Sequence, residues 1–389
     1  MSVHEERGAV VLFSGGGTGG HLYPALALAD ALVGLRPDVR PFFVGSERGL
    51  EARVLPERGI PHALLPVRGL ARGALLSNWR VAPALARALL QAGRVYRRLD
   101  PVLSVVTGGY ASGPAGLVAA VRGVPLVVQE QNSVPGLTTR LLARSARQIH
   151  LAFPEAAARL PARARPRVRL SGNPVQPPVP IERAEARRAF GLARESFTVL
   201  VLGGSQGSRA LNAAVLEAVR LHPEGGVADD SRVALELLWS TGTAHAVGVN
   251  EALAELGAPS WVHALDYIRD MPRALAAADL AVSRAGAMAT SEFLSWGLPA
   301  LLVPLPTAAA DHQSYNALAL AAAGAALHLP EAELSGERLW SALTALALDR
   351  GRLAELRAAA RARGWPDSAH RIATALAELL PSPTGAVSA

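Results

Sequence analysis

The 389-residue chain contains no cysteine and no lysine. Without cysteine there is no disulfide, no thiolate metal ligand and no cysteine nucleophile, which fits a reducing compartment. Aromatic residues make up only 5%. None of them interleaves with basic residues in a recognition motif, which argues against a nucleic acid partner. No apolar run reaches the roughly 18 residues needed to cross a bilayer. Pro299, Pro304 and Pro306 interrupt one stretch, and Ala317 to Leu327 stops early. Glu5 and Glu6, placed ahead of a strand-like run, are unlike a signal peptide. Asp-x-Asp and His-x-His are also absent, so neither a metal site nor a cofactor is expected.

Half of the residues are apolar and 18% are charged, which is enough to fill ordinary cores and too little charge for a disordered chain. At roughly 100–200 residues per domain, two domains are expected. The charge is divided unevenly. Up to Val175, 22 arginines stand against 10 acidic residues; from Gln176 onward, 17 arginines stand against 22. A basic first half favours an anionic partner such as a membrane surface or a phosphorylated substrate.

Short β-rich runs alternate with helical patterns, which predicts βαβ units and parallel sheets. Ala9–Phe13 reads as a buried strand, followed by glycines and then by a helix from about Leu22 to Leu35. Pro41–Val44, Ala63–Val67, Val102–Val106 and Pro125–Gln129 continue the series. The pattern then restarts: Thr198–Leu202 is a strand, Gly203-Gly-Ser-Gln-Gly-Ser208 a turn and Arg209–Arg220 a helix. The linker falls at Gly172–Pro180, whose four prolines can continue neither a helix nor an inner strand. The expected domains are 1–175, 176–365 and a terminal helix and tail, 366–389, packing back on the first domain.

Each glycine turn sits between a buried strand and a helix N-terminus, where exposed N–H groups and the helix dipole favour an anion. Gly15, Gly17 and Gly20 satisfy GxGxxG. A dinucleotide site also wants an acidic residue about 20 positions further on. Here Glu47 comes too late, which counts against a nicotinamide-dependent oxidoreductase. His21 opens the helix after the first turn, where the dipole disfavours imidazolium, a setting suited to a neutral general base.

Further blocks stand in a fixed order. They are Gly16-Gly-Thr-Gly-Gly-His21 with Tyr23-Pro-Ala25; Gly108-Gly-Tyr-Ala-Ser-Gly-Pro114; Glu130-Gln-Asn132 with Pro135-Gly136; and Gly172-Asn-Pro-Val175. Then follow Gly203-Gly-Ser-Gln-Gly207 with Leu211-Asn212; Ser283-Arg-Ala-Gly-Ala287 with Ser291-Glu292; and Asp311-His-Gln313 with Asn316-Ala317. From about residue 9 to residue 365 the chain resembles the MurG family of UDP-GlcNAc transferases of peptidoglycan synthesis. The resemblance implies a GT-B fold: two Rossmann-like domains with parallel sheets facing a central cleft. It implies inverting transfer of GlcNAc from UDP-GlcNAc to the MurNAc 4-hydroxyl of undecaprenyl-diphosphate-MurNAc-pentapeptide (lipid I), on the cytoplasmic face of the membrane. Association with other cell-wall synthesis proteins is implied as well. The alternative is another GT-B UDP-sugar enzyme, a glycolipid glycosyltransferase or a UDP-GlcNAc 2-epimerase.

Carried over by position, Glu292 binds the ribose hydroxyls and Ile268 meets uracil through its backbone. Ser205 and the second turn hold the diphosphate. Ala287, Met288, Ala289, Thr290 and Ser291 line phosphate and sugar at a helix start, and Gln313 and Asn132 bind GlcNAc. Thr18, Gly19 and Gly20 sit at the acceptor diphosphate, with His21 as base and Glu130 as its rival. Gln129 stands where the family usually has His, Gln176 where it has Arg, and Ala289 where it has Thr, with Thr290 next to it. The exchange at Gln176 removes a fixed positive charge near the nucleotide. Asp311 is expected to cap the helix that starts at His312. Leu75–Trp79 between Arg68, Arg72 and Arg80, with Arg87, Arg94, Arg97 and Arg98 beyond, suits an anionic membrane surface.

Overall fold

The structure is a computed structural model that describes residues 8–67, 81–204, 206–225 and 233–382. Ser205, the segment Leu75–Trp79 and Arg68, Arg72 and Arg80 therefore lie outside the described residues. The chain divides into two compact units. One comprises the described residues up to Gln176 together with those from Asp367 onward; the other is Pro177–Pro366.

The first unit alternates strand and helix. β1 (Ala9–Ser14), α1 (Gly19–Leu35), β2 (Val39–Ser46), α2 (Glu51–Glu57) and β3 (His62–Leu65) come first. Then come α3 (Val81–Leu99), β4 (Leu103–Val106), α4 (Ser112–Arg122), β5 (Leu126–Glu130), α5 (Leu137–Leu142), β6 (Gln148–Leu151) and β7 (Val168–Leu170). The second unit holds α6 (Arg183–Ala189), β8 (Phe197–Leu202), α7 (Arg209–Leu221), β9 (Leu235–Ser240), α8 (Ala246–Glu255), β10 (Val262–Leu265) and α9 (Met271–Ala277). It continues with β11 (Leu280–Ser283), α10 (Ala287–Trp296), β12 (Ala300–Leu302), α11 (His312–Ala322), β13 (Leu327–His328), α12 (Gly336–Leu348) and α13 (Arg350–Arg363). The final helix α14 (Ser368–Ala377) belongs to the first unit.

Both sheets are parallel throughout. The first has the order β3-β2-β1-β4-β5-β6-β7 and the second β10-β9-β8-β11-β12-β13. β4, β5, β6, β8 and β11 are buried along their whole length. This is why β4, β5, β8 and β11 read as largely apolar runs instead of alternating ones. On β1, Leu12 faces a core closed by Ala88, Ala92 and Tyr96 of α3 and Ala115 and Ala119 of α4. Val11 and Phe13 face the opposite core, closed by Leu22, Ala25 and Leu28 of α1 and by Ile372, Ala373 and Leu376 of α14. α14 is fixed further by Gln148 Nε2 donating to the Ala375 carbonyl at 3.1 Å, and by Ser368 Oγ donating to the Asn173 carbonyl.

One buried ionisable group shapes this unit. His150 on β6 lies 3.1 Å from Gln148 Oε1 through Nε2 and 2.9 Å from Ser171 Oγ through Nδ1. Because Gln148 Nε2 is turned to Ala375, Oε1 must accept, so His150 is protonated on Nε2 and accepts the Ser171 hydroxyl on Nδ1. Burial, reinforced by Arg169, pushes its pKa down to about 4.

In each sheet the strand order reverses beside the first strand: between β1 and β4, and between β8 and β11. In open α/β sheets ligands bind at that switch point, beyond the carboxyl ends of the strands. Helices α7, α9, α12 and α13 start with side-chain caps from Ser208, Asp270, Ser335 and Asp349. Of the helices that begin at the switch points, α7 is thus capped, whereas α1 and α10 have no side-chain cap.

Candidate functional site

In the first unit the loops after β1, β4 and β5 converge on His21. Thr107 Oγ1 donates to the His21 carbonyl at 2.7 Å. The imidazole Nδ1 lies 3.0 Å from both the Thr107 carbonyl and Gln131 Oε1. The Gln131 amide has one workable orientation, because its Nε2 donates to the Thr107 carbonyl at 2.7 Å and to Gln129 Oε1. Both neighbours of Nδ1 are therefore acceptors, and the neutral ring carries its proton there. Nε2 is left with a lone pair that can take a proton from a ligand.

The support continues inward. Gln129 Nε2 donates to Asn173 Oδ1 at 2.9 Å, and Asn173 Nδ2 donates to the Gln131 carbonyl at 3.1 Å. Gln129, Gln131 and Asn173 are all buried. Gln129 thus supplies both an acceptor and a donor at a position where the resembled family usually has His. Gln131, although inside a recognised block, had no role read from the sequence. Its signal was its position one residue past Glu130, at the end of a buried strand.

Glu130 has its carboxylate engaged. One oxygen accepts the backbone N–H and the side-chain amide of Asn132 at 3.0 and 3.2 Å, and the other accepts the Gly136 N–H at 3.1 Å. These bonds close the loop that holds Asn132.

The first turn contains a second acid that the sequence reading missed. Glu51, wholly buried at the start of α2, accepts the Gly17 N–H at 3.0 and 3.1 Å and the Ser46 N–H at 2.7 Å. A Cβ on Gly16, Gly45 or Gly49 would collide with it. Thr18 sits extended at the start of α1 with no side-chain cap bond, and Gly19 and Gly20 form the first turn of that helix. N–H groups in a helix's first turn have no intrahelical partner.

The second turn is built on the same plan. Gly203 has no room for a Cβ beside the Ser208 N–H, and Gly204 and Gly207 have positive φ. Ser208 Oγ caps α7 by accepting the Leu211 N–H at 3.3 Å, and it accepts Arg284 Nη2 at 2.7 Å. Arg284 is buried, donates to the carbonyls of Val303 and Pro304 at 3.2 Å each, and pairs with Glu331 at 2.5 Å. This places a guanidinium directly behind the turn.

α10 opens with Ala287, Met288 and Ala289 and has no acidic residue in its first turn. Thr290 Oγ1 is committed to the carbonyls of Gly286 and Ala287, each at 3.1 Å. Its hydroxyl therefore bonds to its own helix. Ser291 is buried beside it, and burial pushes the Glu292 carboxyl up to about 7. Ile268 is buried in the loop after β10. Gln313 Oε1 accepts the Leu305 N–H at 3.0 Å, which turns its amide N–H groups away from that loop. Gln176 is exposed at the end of the first unit. Asp311 does stand ahead of α11, but with φ +57 it accepts the Ser314 hydroxyl at 2.6 Å and no backbone N–H.

The chain matches the N-terminal domain model of glycosyltransferase family 28 over residues 11–151 and the C-terminal domain model over residues 198–372. A Salinibacter ruber protein is 43% identical over 369 residues, which covers 94% of this chain and 96% of that protein. Its name is UDP-N-acetylglucosamine–N-acetylmuramyl-(pentapeptide) pyrophosphoryl-undecaprenol N-acetylglucosamine transferase. The crystal structure of Acinetobacter baumannii MurG is similar at TM-score 0.75 and 28% identity, covering 95% of this chain and 99% of that one. A Neisseria meningitidis UDP-GlcNAc 2-epimerase bound to UDP-GlcNAc gives TM-score 0.62 at 13% identity, covering 95% and 99%; that likeness is one of fold alone.

Proposed function

The chain belongs to glycosyltransferase family 28, and from that premise we propose that it transfers GlcNAc from UDP-GlcNAc to the MurNAc 4-hydroxyl of lipid I. The observation that carries this reading is the 43% identity to a transferase of that name along nearly the whole of both chains. The GT-B architecture of two parallel-sheet units agrees with it.

In the proposed chemistry the first unit supplies the base. His21 Nε2 takes the proton of the 4-hydroxyl as that oxygen attacks C1 of GlcNAc from the face opposite UDP. Such a base contributes about 10²–10⁴ in rate. The C1–O bond breaks, and its electron pair leaves on the UDP β-phosphate. The second unit holds the donor, with Glu292 on the ribose hydroxyls, Ile268 at uracil and Gln313 on the sugar. The new charge on UDP falls on the N-termini of α7 and α10, with Arg284 behind the first of these. Thr18, Gly19 and Gly20 receive the acceptor's diphosphate. The reaction needs no metal in this scheme.

The lipid acceptor requires a membrane surface, which we place on the cytoplasmic side. Among the described residues no helix is long and apolar enough to cross a membrane. Between α3 and α4 lies a groove of about 390 Å³ lined by Leu89, Leu90, Leu117 and Val121 with Arg97 and Arg122. Leu90 is 65% exposed and Val121 80%. Apolar side chains beside arginine suit an anionic bilayer, at about 1 kcal/mol per basic residue near the surface.

The test is transfer of labelled GlcNAc to a lipid I analogue in the presence of EDTA, with and without phosphatidylglycerol vesicles. Transfer that survives EDTA and rises with anionic vesicles is expected. Tight UDP-GlcNAc binding with no transfer would overturn the acceptor assignment, and activity that returns only with magnesium would overturn the metal-free scheme.

A further inference from the structure

The second unit has an arginine-rich cleft at the other end of its sheet. A cleft of about 680 Å³ lies between α6 and α13, at the amino ends of β8 and β11. Phe197, the first residue of β8, lines it, whereas the glycine turn follows Leu202 at the strand's far end. Six residues at about 3.3 Å each separate the two by roughly 17–20 Å. The volume is ordinary for a small-molecule site.

Asp279 forms the floor. Its carboxylate accepts the Thr198 N–H at 3.0 Å, Arg187 Nη2 at 2.8 Å and Arg183 Nη2, and Arg357 Nη2 stands 3.8 Å away. One carboxylate thus faces three guanidiniums. Arg187 is structural: it is buried and also donates to the carbonyls of Ala277, Arg194 and Ser196. Arg183 and Arg357 differ, with side chains 41% and 33% exposed and no full set of partners. Arg350 stands beside them on the rim. The two rim carboxylates are turned to other work, since Glu182 caps α6 and Glu195 lies 3.8 Å from Arg194. Burial, more than the neighbouring Arg183 and Arg361, lowers the proton affinity of Arg357 against the pull of Asp279. An added anion would relieve that cost.

We propose that this cleft binds a ligand carrying two or more phosphate groups, gripped by Arg183, Arg357 and Arg350. Guanidinium forks match phosphate oxygens in pairs, and the excess charge of the floor asks for more than one negative charge. The assignment does not depend on the transfer reaction.

The experiment titrates full-length protein, already saturated with UDP, with sodium pyrophosphate by calorimetry. One further equivalent is expected to bind. Arg183→Gln with Arg357→Gln should weaken it at least about tenfold, with UDP affinity unchanged. Ala354→Glu places a carboxylate on the exposed cleft wall one turn from Arg350 and Arg357, where it competes with an anion for them, and should do the same if the double variant fails to fold. A parallel arm uses phosphatidylglycerol vesicles. Loss confined to vesicle binding would assign the phosphates to lipid headgroups; loss confined to pyrophosphate would assign them to a soluble ligand. Absence of any UDP-insensitive binding, or binding of both probes undiminished in every variant, would overturn the proposal.

Discussion

The two glycine turns begin from one local plan and are completed in opposite ways. After β1, the turn receives a carboxyl group from within the chain: Glu51 takes the Gly17 N–H, and three glycines leave space for it. After β8, the group brought up behind the turn is a guanidinium, that of Arg284 on Ser208. The first turn is thereby tied down and presents a histidine. The second is backed by a guanidinium paired with Glu331, and in the proposed function it holds a diphosphate. A strand, a run of glycines and a helix start do not by themselves decide what binds. The side chain delivered from another element does.

That division of labour can be broken in order of effect. His21→Ala should lower transfer about 10²–10⁴-fold, about 3–5 kcal/mol of barrier, while calorimetry finds UDP affinity unchanged. Glu292→Ala should do the reverse to UDP binding. A His21 variant that loses UDP binding would erase the contrast. Next, Glu51→Ala strands the buried Ser46 N–H and the half-buried Gly17 N–H and should cost roughly 3 kcal/mol in chemical denaturation. Ser208→Ala removes a helix cap and one acceptor of Arg284, whose other partners remain, and should cost about 2 kcal/mol. Equal losses would mean that the first turn is no more tied down than the second.

The two units should also differ in acid. His150 in the first unit is held neutral, with a pKa near 4. The unfolded chain takes up the proton near 6.5, so the stabilisation is complete above that pH. It is lost as pH falls from about 6.5 to 4, approaching roughly 3 kcal/mol. Melting curves should shift accordingly, and His150→Gln should flatten the dependence. In the second unit the Glu292 carboxyl, pushed up to about 7, is partly protonated at neutral pH. In the proposed binding mode ribose hydroxyls donate to its ionised form, so UDP affinity should fall between pH 8 and pH 6. The limit is about tenfold per pH unit, about 1.4 kcal/mol. Glu292→Gln should remove that slope.

The fold was legible because doubly covered parallel strands write themselves as continuous apolar runs, as Val102–Val106 did for β4 and Thr198–Leu202 for β8. The glycine turns were legible because few other residues tolerate their backbone. The supports were not. Glu51 reads as an ordinary acid at the start of a short helix, and nothing near it in sequence points to Gly17. Gln131 fixes the His21 tautomer from the end of β5, across 110 residues of sequence. Asp311 and Thr290 were legible as polar groups at helix starts, but their bonds are settled by local backbone: a left-handed residue in one case and the helix's own carbonyls in the other. Periodicity reports burial; it does not report which distant donor meets which acceptor.

The position of α14 has a consequence for how the protein is made. The second unit is one uninterrupted stretch, whereas the first is completed by residues that follow it in the chain. Emerging from the ribosome, Pro177–Pro366 can finish folding while the earlier-made unit still lacks Ile372, Ala373 and Leu376 against α1. The part synthesised first is the last to be sealed, and until α14 arrives the apolar face of α1 is the surface most in need of a chaperone.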